Sequence, residues 1–156
     1  MRHVLIVDSE PAISSLVSTA LETEEGCRCS AATTAYDALA LLARDRPDAA
    51  IIEAVMPDVS GIAIAGQVLA GGIPVLMMTG EPATQTLFGA YGIPFLAKPF
   101  HIGDLRSAWR RLLSDPTERH AELTDQIALL VFDVRQTARS LNSSRENLAR
   151  VVAALR

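Results

Sequence analysis

Residues 3–10 read HVLIVDSE, an unbroken apolar run, Val4-Leu5-Ile6-Val7, that stops on Asp8, Ser9 and Glu10. A strand with one wet face alternates apolar and polar residues, whereas a continuous run of this length suits a parallel strand covered on both faces. Working outward, the same kind of run recurs at 49–52 (AAII), 73–78 (IPVLMM) and 93–97 (IPFLA), with a more polar one at 27–32 (CRCSAA). Helical patterns lie between them. Residues 11–24 carry Ile13, Leu16, Val17, Ala20 and Leu21 on one stripe. Residues 35–44 repeat the pattern with Ala38, Leu39, Leu41 and Leu42, and residues 101–113 with Ile102, Leu105, Trp109, Leu112 and Leu113. Strand alternating with helix five times predicts a doubly wound α/β fold on a five-stranded parallel sheet. Ligand sites in such sheets lie outside the carboxyl ends of the strands, at the topological switch point.

At 156 residues, 49% of them hydrophobic, the chain is long enough for one domain with an appendage and needs neither disulfides nor a structural metal. Fourteen basic against 18 acidic side chains leave a net charge of -4, which excludes a sequence-independent nucleic-acid binder. A mean hydropathy of +0.25 excludes a disordered chain. Cys27 and Cys29 stand too close for an unstrained bridge and lack partners for a zinc site, so they read as inert thiols on one face of a strand. The apolar run before Asp8 is too short for a signal peptide, and the expected location is cytoplasmic. One stretch, Val59 to Gly80, has no charge and is long enough to span a bilayer. Gly61, Gly66, Gly71, Gly72 and Pro74 cut it into a helix at 61–70 and a buried strand.

Asp115-Pro116 breaks the fifth helix, and from Thr117 to Arg156 there is neither Gly nor Pro. Leu123, Ile127, Leu130, Val134, Thr137, Leu141, Ser144, Leu148, Val151 and Leu155 step by alternating four and three, the seam of a coiled coil. Two readings of this extension stand. It dimerises, or it folds back on its own domain, an option favoured by the wider stripe that Leu129, Val131 and Phe132 make. The polar patch 141–144, with Ser143 and Glu146 spaced as a capping box, would allow a helical hairpin.

Four signals fall at strand carboxyl ends: Asp8-Ser9-Glu10, Glu53, Thr79 and Lys98-Pro99. With the runs VLIVDSEPAI, E-A-V-M-P-D-V-S-G at 53–61, PVLMMTG at 74–80 and FLAKPF at 95–100, the chain resembles a response-regulator receiver domain, the phosphoacceptor module of two-component signalling. The resemblance covers residues 1–114, leaving 115–156 as a helical extension, and it implies the flavodoxin-like receiver fold. It places Asp8 and Ser9 on the family's acidic, Mg²⁺-holding pair and Glu53 on the phosphoacceptor aspartate. It puts Val55 where a backbone carbonyl binds the metal, and Thr79 and Lys98 where phosphoryl oxygens are contacted. Phe95 falls on the aromatic switch position, which aromatic packing alone would also explain. Lys98 is the only lysine beside thirteen arginines, as a site needing a compact ammonium would demand.

Two departures set the functional expectation. Glu53 is one methylene longer than the aspartate it replaces, and a displacement of about an ångström can slow a positioned reaction on the order of a hundredfold. Ser9 removes an anionic ligand from a Mg²⁺ site, which Glu10 restores only if it is not simply a solvated acid at a helix start. Glu53 is then either a partial mimic of the phosphorylated state or a structural partner of Lys98. No metal is expected, though Asp8, Glu53 and Val55 would hold Mg²⁺ if any bound. His3, His101 and His120 are scattered over an edge strand, a loop and the tail, with no ligand spacing. A short or irregular fourth helix is expected over Gly80–Tyr91. The expected protein is a phosphorylation-independent receiver without a DNA-binding output domain. It would not be an enzyme, and it would contact a histidine kinase or signalling target, as a homodimer, without nucleic acid or membrane. A phosphorylation-competent single-domain regulator and an oligomerisation module with a relic pocket are the rival readings.

Overall fold

Prolines and glycines decide where the elements of this chain begin and end, as seen in a computed structural model that describes residues 1–114 and 118–154. The elements are β1 (His3–Val7), α1 (Pro11–Glu25), β2 (Arg28–Ala32), α2 (Ala35–Arg44), β3 (Ala49–Glu53), α3 (Gly61–Ala70), β4 (Val75–Thr79), α4 (Pro82–Tyr91), β5 (Phe95–Ala97), α5 (Ile102–Ser114) and α6 (Glu118–Ala154). β4 and β5 start two residues later than their apolar runs, because Pro74 and Pro94 have no N–H to give a ladder. α4 is short, as expected, but regular. Pro82 opens it and Gly92, at φ 66°, closes it in the left-handed conformation that glycine tolerates.

The sheet is parallel, in the order β2-β1-β3-β4-β5. β1 is therefore interior, and the expectation that His3 lies on an edge strand is corrected. His3 is buried, with Nε2 2.9 Å from the Ser30 hydroxyl. Alternate residues of each strand serve opposite layers. Val4, Ile6, Ile51 and Met78 pack under α1 and α5, against Val17, Leu21, Leu105 and Trp109. Leu5, Val7, Ile52 and Met77 face α2, α3 and α4, against Ala38, Ala65, Val68 and Phe88. The chain leaves β1 for β2 on one side and returns to β3 on the other, so the switch point lies between the carboxyl ends of β1 and β3.

α6 is one continuous helix of 37 residues. The hairpin alternative at 141–144 is thus corrected, since exposed Ser and Asn lower helix propensity by only a few tenths of a kcal/mol each and neither Gly nor Pro breaks the run. Its first part, residues 118–131, is a root embedded in the domain. Leu123, Ile127 and Leu130 are buried in the same cluster as Ile64, Ala65 and Phe88. Gly66 of α3 faces this root, where a Cβ would meet Ile127 Cγ2 at 3.8 Å. The His120 Nε2 hydrogen donates to the Leu69 carbonyl at 3.0 Å, and the Tyr91 hydroxyl donates to the Asp133 carboxylate. From Phe132 to Ala154 every residue whose burial is described is exposed. The Asp115-Pro116 break and Leu155 lie outside the described residues, as do the side chains of Val134 and Thr137. Because Ile127 is fully buried, Ile127→Ala is expected to cost about 3 kcal/mol in urea unfolding. A cost near zero would mean that the root does not belong to the core.

Candidate functional site

Asp8 leaves β1 fully buried, its backbone N–H bonded to the Ala32 carbonyl at 3.1 Å. Glu53 is the last residue of the neighbouring strand β3 and is 9% exposed. Thr79 ends β4 and is buried, and Lys98 follows β5 at a cis Lys98–Pro99 peptide. Four strand ends thus bring together the residues that the sequence singled out.

The Lys98 ammonium lies 2.6 Å from Asp8 Oδ2 and 3.0 Å from Glu53 Oε1, with Glu10 Oε1 further off at 3.6 Å. The other Glu53 oxygen is also occupied. Oε2 accepts the Ser9 N–H at 3.0 Å and the Ser9 hydroxyl at 2.8 Å. Asp8 Oδ1 accepts the Glu10 N–H at 2.9 Å. Thr79 Oγ1 accepts the Glu81 N–H at 3.1 Å, which keeps it in its own loop. Phe95 is half-buried, its ring centroid 5.7 Å from that of Phe88, and it borders a cavity of about 470 Å³ between α5 and α6. Val55, half-exposed, sits on the loop after Glu53.

These contacts set the charges. Burial pushes the Asp8 carboxyl above its ordinary range, against the pull of Lys98 and the Glu10 N–H. Burial also opposes the charge on Glu53, but the Ser9 N–H and hydroxyl together with Lys98 overcome it and hold that carboxyl below its ordinary range. Lys98 is likewise penalised by burial, and its two carboxylates more than restore it, so its ammonium is held above the ordinary value. Away from the site, burial first and Glu22 second push the Cys29 thiol up to about 12. The thiolate is the reactive form, so Cys29 is an inert thiol at neutral pH.

The sequence places Ser9 at the site as the residue that costs the metal a ligand; the structure adds that it supplies both donors that hold Glu53 Oε2. Its replacement of an acid and the lengthening of the acceptor are complementary, because a second carboxylate in its place would repel Glu53. From the sequence Gly61 reads only as a helix start. A Cβ there would lie 1.7 Å from the Glu53 carbonyl oxygen, so the backbone of the acceptor strand rests on a residue that has none.

Asp8, Glu10 and Glu53 place one carboxylate oxygen each within 4.8 Å of one another, a donor set of the hard kind that Mg²⁺ takes. The residues around it do not fit the ion. Lys98 occupies Asp8 and Glu53, and Ser9 fills the remaining Glu53 oxygen, so a divalent cation would have to displace an ammonium already paired at 2.6 and 3.0 Å.

Comparison with known proteins agrees with this arrangement of parts. Residues 4–110 match the response regulator receiver domain. The probable transcriptional regulatory protein TcrX of Mycobacterium tuberculosis is 33% identical over 115 residues, covering 70% of this chain and 49% of that protein. The response regulator MprA of Mycobacterium ulcerans is 27% identical over 137 residues, covering 85% and 59%. The chain therefore spans about half the length of the curated relatives it matches. Among solved structures, Vibrio cholerae chemotaxis protein CheY4 superposes with a TM-score of 0.62 at 30% identity, over 72% of this chain and 99% of that one. Thermotoga maritima TrrA, solved in complex with Mg(2+)-BeF, superposes at 0.63 with 25% identity, over 72% and 100%.

Proposed function

The chain belongs to the response regulator receiver family of two-component signalling, and from that premise we propose that it is a receiver which works without phosphorylation. It acts through protein–protein contacts with a kinase or a downstream target, and as a homodimer through α6. One observation carries the reading: Glu53 and Asp8 share Lys98, and Ser9 holds the other Glu53 oxygen, so both oxygens of the acceptor carboxylate are engaged by the chain's own groups. Phosphoryl transfer depends on positioning and on neutralising charge with metal and lysine together. Here the lysine is committed to the acceptor itself.

Of the two roles left for Glu53, the structural ion pair is better supported than the mimic. A phosphoryl group would carry about two charges and three acceptor oxygens. Glu53 offers one charge, and the Thr79 hydroxyl is turned to the Glu81 N–H.

The test is intact-protein mass spectrometry after incubation with Mg²⁺ and acetyl phosphate, on the native chain and on a Ser9→Asp/Glu53→Asp double variant. The native chain is expected to gain no phosphoryl group. The double variant, with the acid pair and the shorter acceptor restored, should gain one, with a rate at least about a hundredfold above native. Labelling of the native chain at the variant's rate would return the protein to the phosphorylation-dependent class.

A further inference from the structure

The seam of α6 has two owners. In the root, Leu123, Ile127 and Leu130 of this seam are between 0% and 8% exposed, pressed on α3 and α4. Beyond Phe132 the described residues of the same seam are exposed. Leu141 is 61% exposed, Leu148 65% and Val151 55%, and Val152 beside them is 45% exposed. This arm, residues 132–154, is about 35 Å long at helical rise. An apolar stripe that continues a buried one and then runs bare needs an apolar cover of the same period, and the stripe's own repeat is the match for it.

Orientation follows from the position of the domain. The receiver stands on the seam side of the root. A partner helix laid parallel and in register along that seam would run into the space the domain fills. An antiparallel partner does not. Its arm overlaps only the bare part of the seam and carries its own domain away beyond the far tip.

We propose that a second copy of this chain covers the arm, the two arms pairing antiparallel so that the two receiver domains lie at opposite ends of the paired segment. This rests on the homodimer reading above and adds to it the surface and the polarity.

The experiment is carried out on the full chain, in two steps. Light scattering after gel filtration reads the mass of the native protein and of Leu148→Asp. A dimer that becomes a folded monomer on this substitution is expected, and the fold should survive because Leu148 is exposed within the single chain. Spin labels on Ala153→Cys then read the distance between the two copies, with the native chain carried through the labelling as control. Antiparallel arms centred near residue 144 put the two labels about 27 Å apart along the axis. Parallel arms would put them on the order of 10 Å apart, the width of a helix pair. A native monomer overturns both this proposal and the homodimer reading. A dimer that survives Leu148→Asp, or a short label distance, overturns the arm arrangement and leaves dimerisation standing.

Discussion

Lys98→Met is expected to lower the unfolding free energy by about 3–5 kcal/mol at neutral pH, because it removes the cation from two carboxylates that are buried or nearly so. The loss should shrink on acidification, and the signs can be worked out group by group. Without Lys98, Asp8 keeps its burial and loses its cation, so its folded-state value rises further above the ordinary 3.8, while Glu53 keeps only the Ser9 donors and rises from its lowered value. At Asp8 the native state of the variant then takes up a proton before the unfolded chain does, and its stability recovers as pH falls through that raised value. In the native protein Glu53 is depressed, so its contribution is fully present above about 4.5 and lost as pH falls through the lowered folded value. Asp8, raised by burial, works in the opposite sense, which flattens the native profile. Guanidinium unfolding of both proteins at pH 7 and pH 4 measures the difference. Equal gaps at the two values would mean that Lys98 stabilises the fold by packing its stem rather than by charge.

Gly61→Ala is expected to cost at least about 4 kcal/mol, in the range reserved for a named steric defect. The added carbon would sit 1.7 Å from the Glu53 carbonyl oxygen and 2.8 Å from its carbon, both backbone atoms of a central strand. Neither can rotate away, so either the start of α3 or the end of β3 must move. The Gly61 N–H bond to the Ala54 carbonyl, at 3.0 Å, would break with it. For a chain of this size that is a fall in melting temperature of about 8–16 °C, read by circular dichroism. A variant that melts with the native protein would show that the loop after Glu53 yields freely.

The sheet and its helices were legible because the strand runs are continuous, the helix stripes are regular and the signals fall at successive strand ends. Where edges slipped, as at Pro74 and Pro94, the reason is a missing N–H that hydropathy does not register. The site was legible residue by residue but not as a network. A sequence shows that Ser9 is not an acid. That its hydroxyl turns to Glu53 is a fact of two strand ends lying side by side. For α6, periodicity could not choose between partners. Over about two turns the stripe of Leu123, Ile127 and Leu130 is the same whether it covers another helix of its kind or the flank of α3. The wider stripe of Leu129, Val131 and Phe132 favoured the fold-back, yet Leu129 and Phe132 are exposed, and it is Gly66 and its small neighbour Ala65 that let the helix approach α3.

The embedded root has a mechanical consequence. Leu123 and Leu130 clamp the helix over about 10 Å, while the free part extends about 35 Å beyond, so α6 is a lever with a gain of about three. With Leu130 as the fulcrum, in the cluster that holds Phe88 and against which Phe95 packs, a shift of about 1 Å at Leu123 swings the tip by about 3–4 Å. Whatever grips the tip senses the packing around β5, and whatever bends it pulls on the same place. Phe95, which packs against the cluster that holds the fulcrum, lies three residues before Lys98.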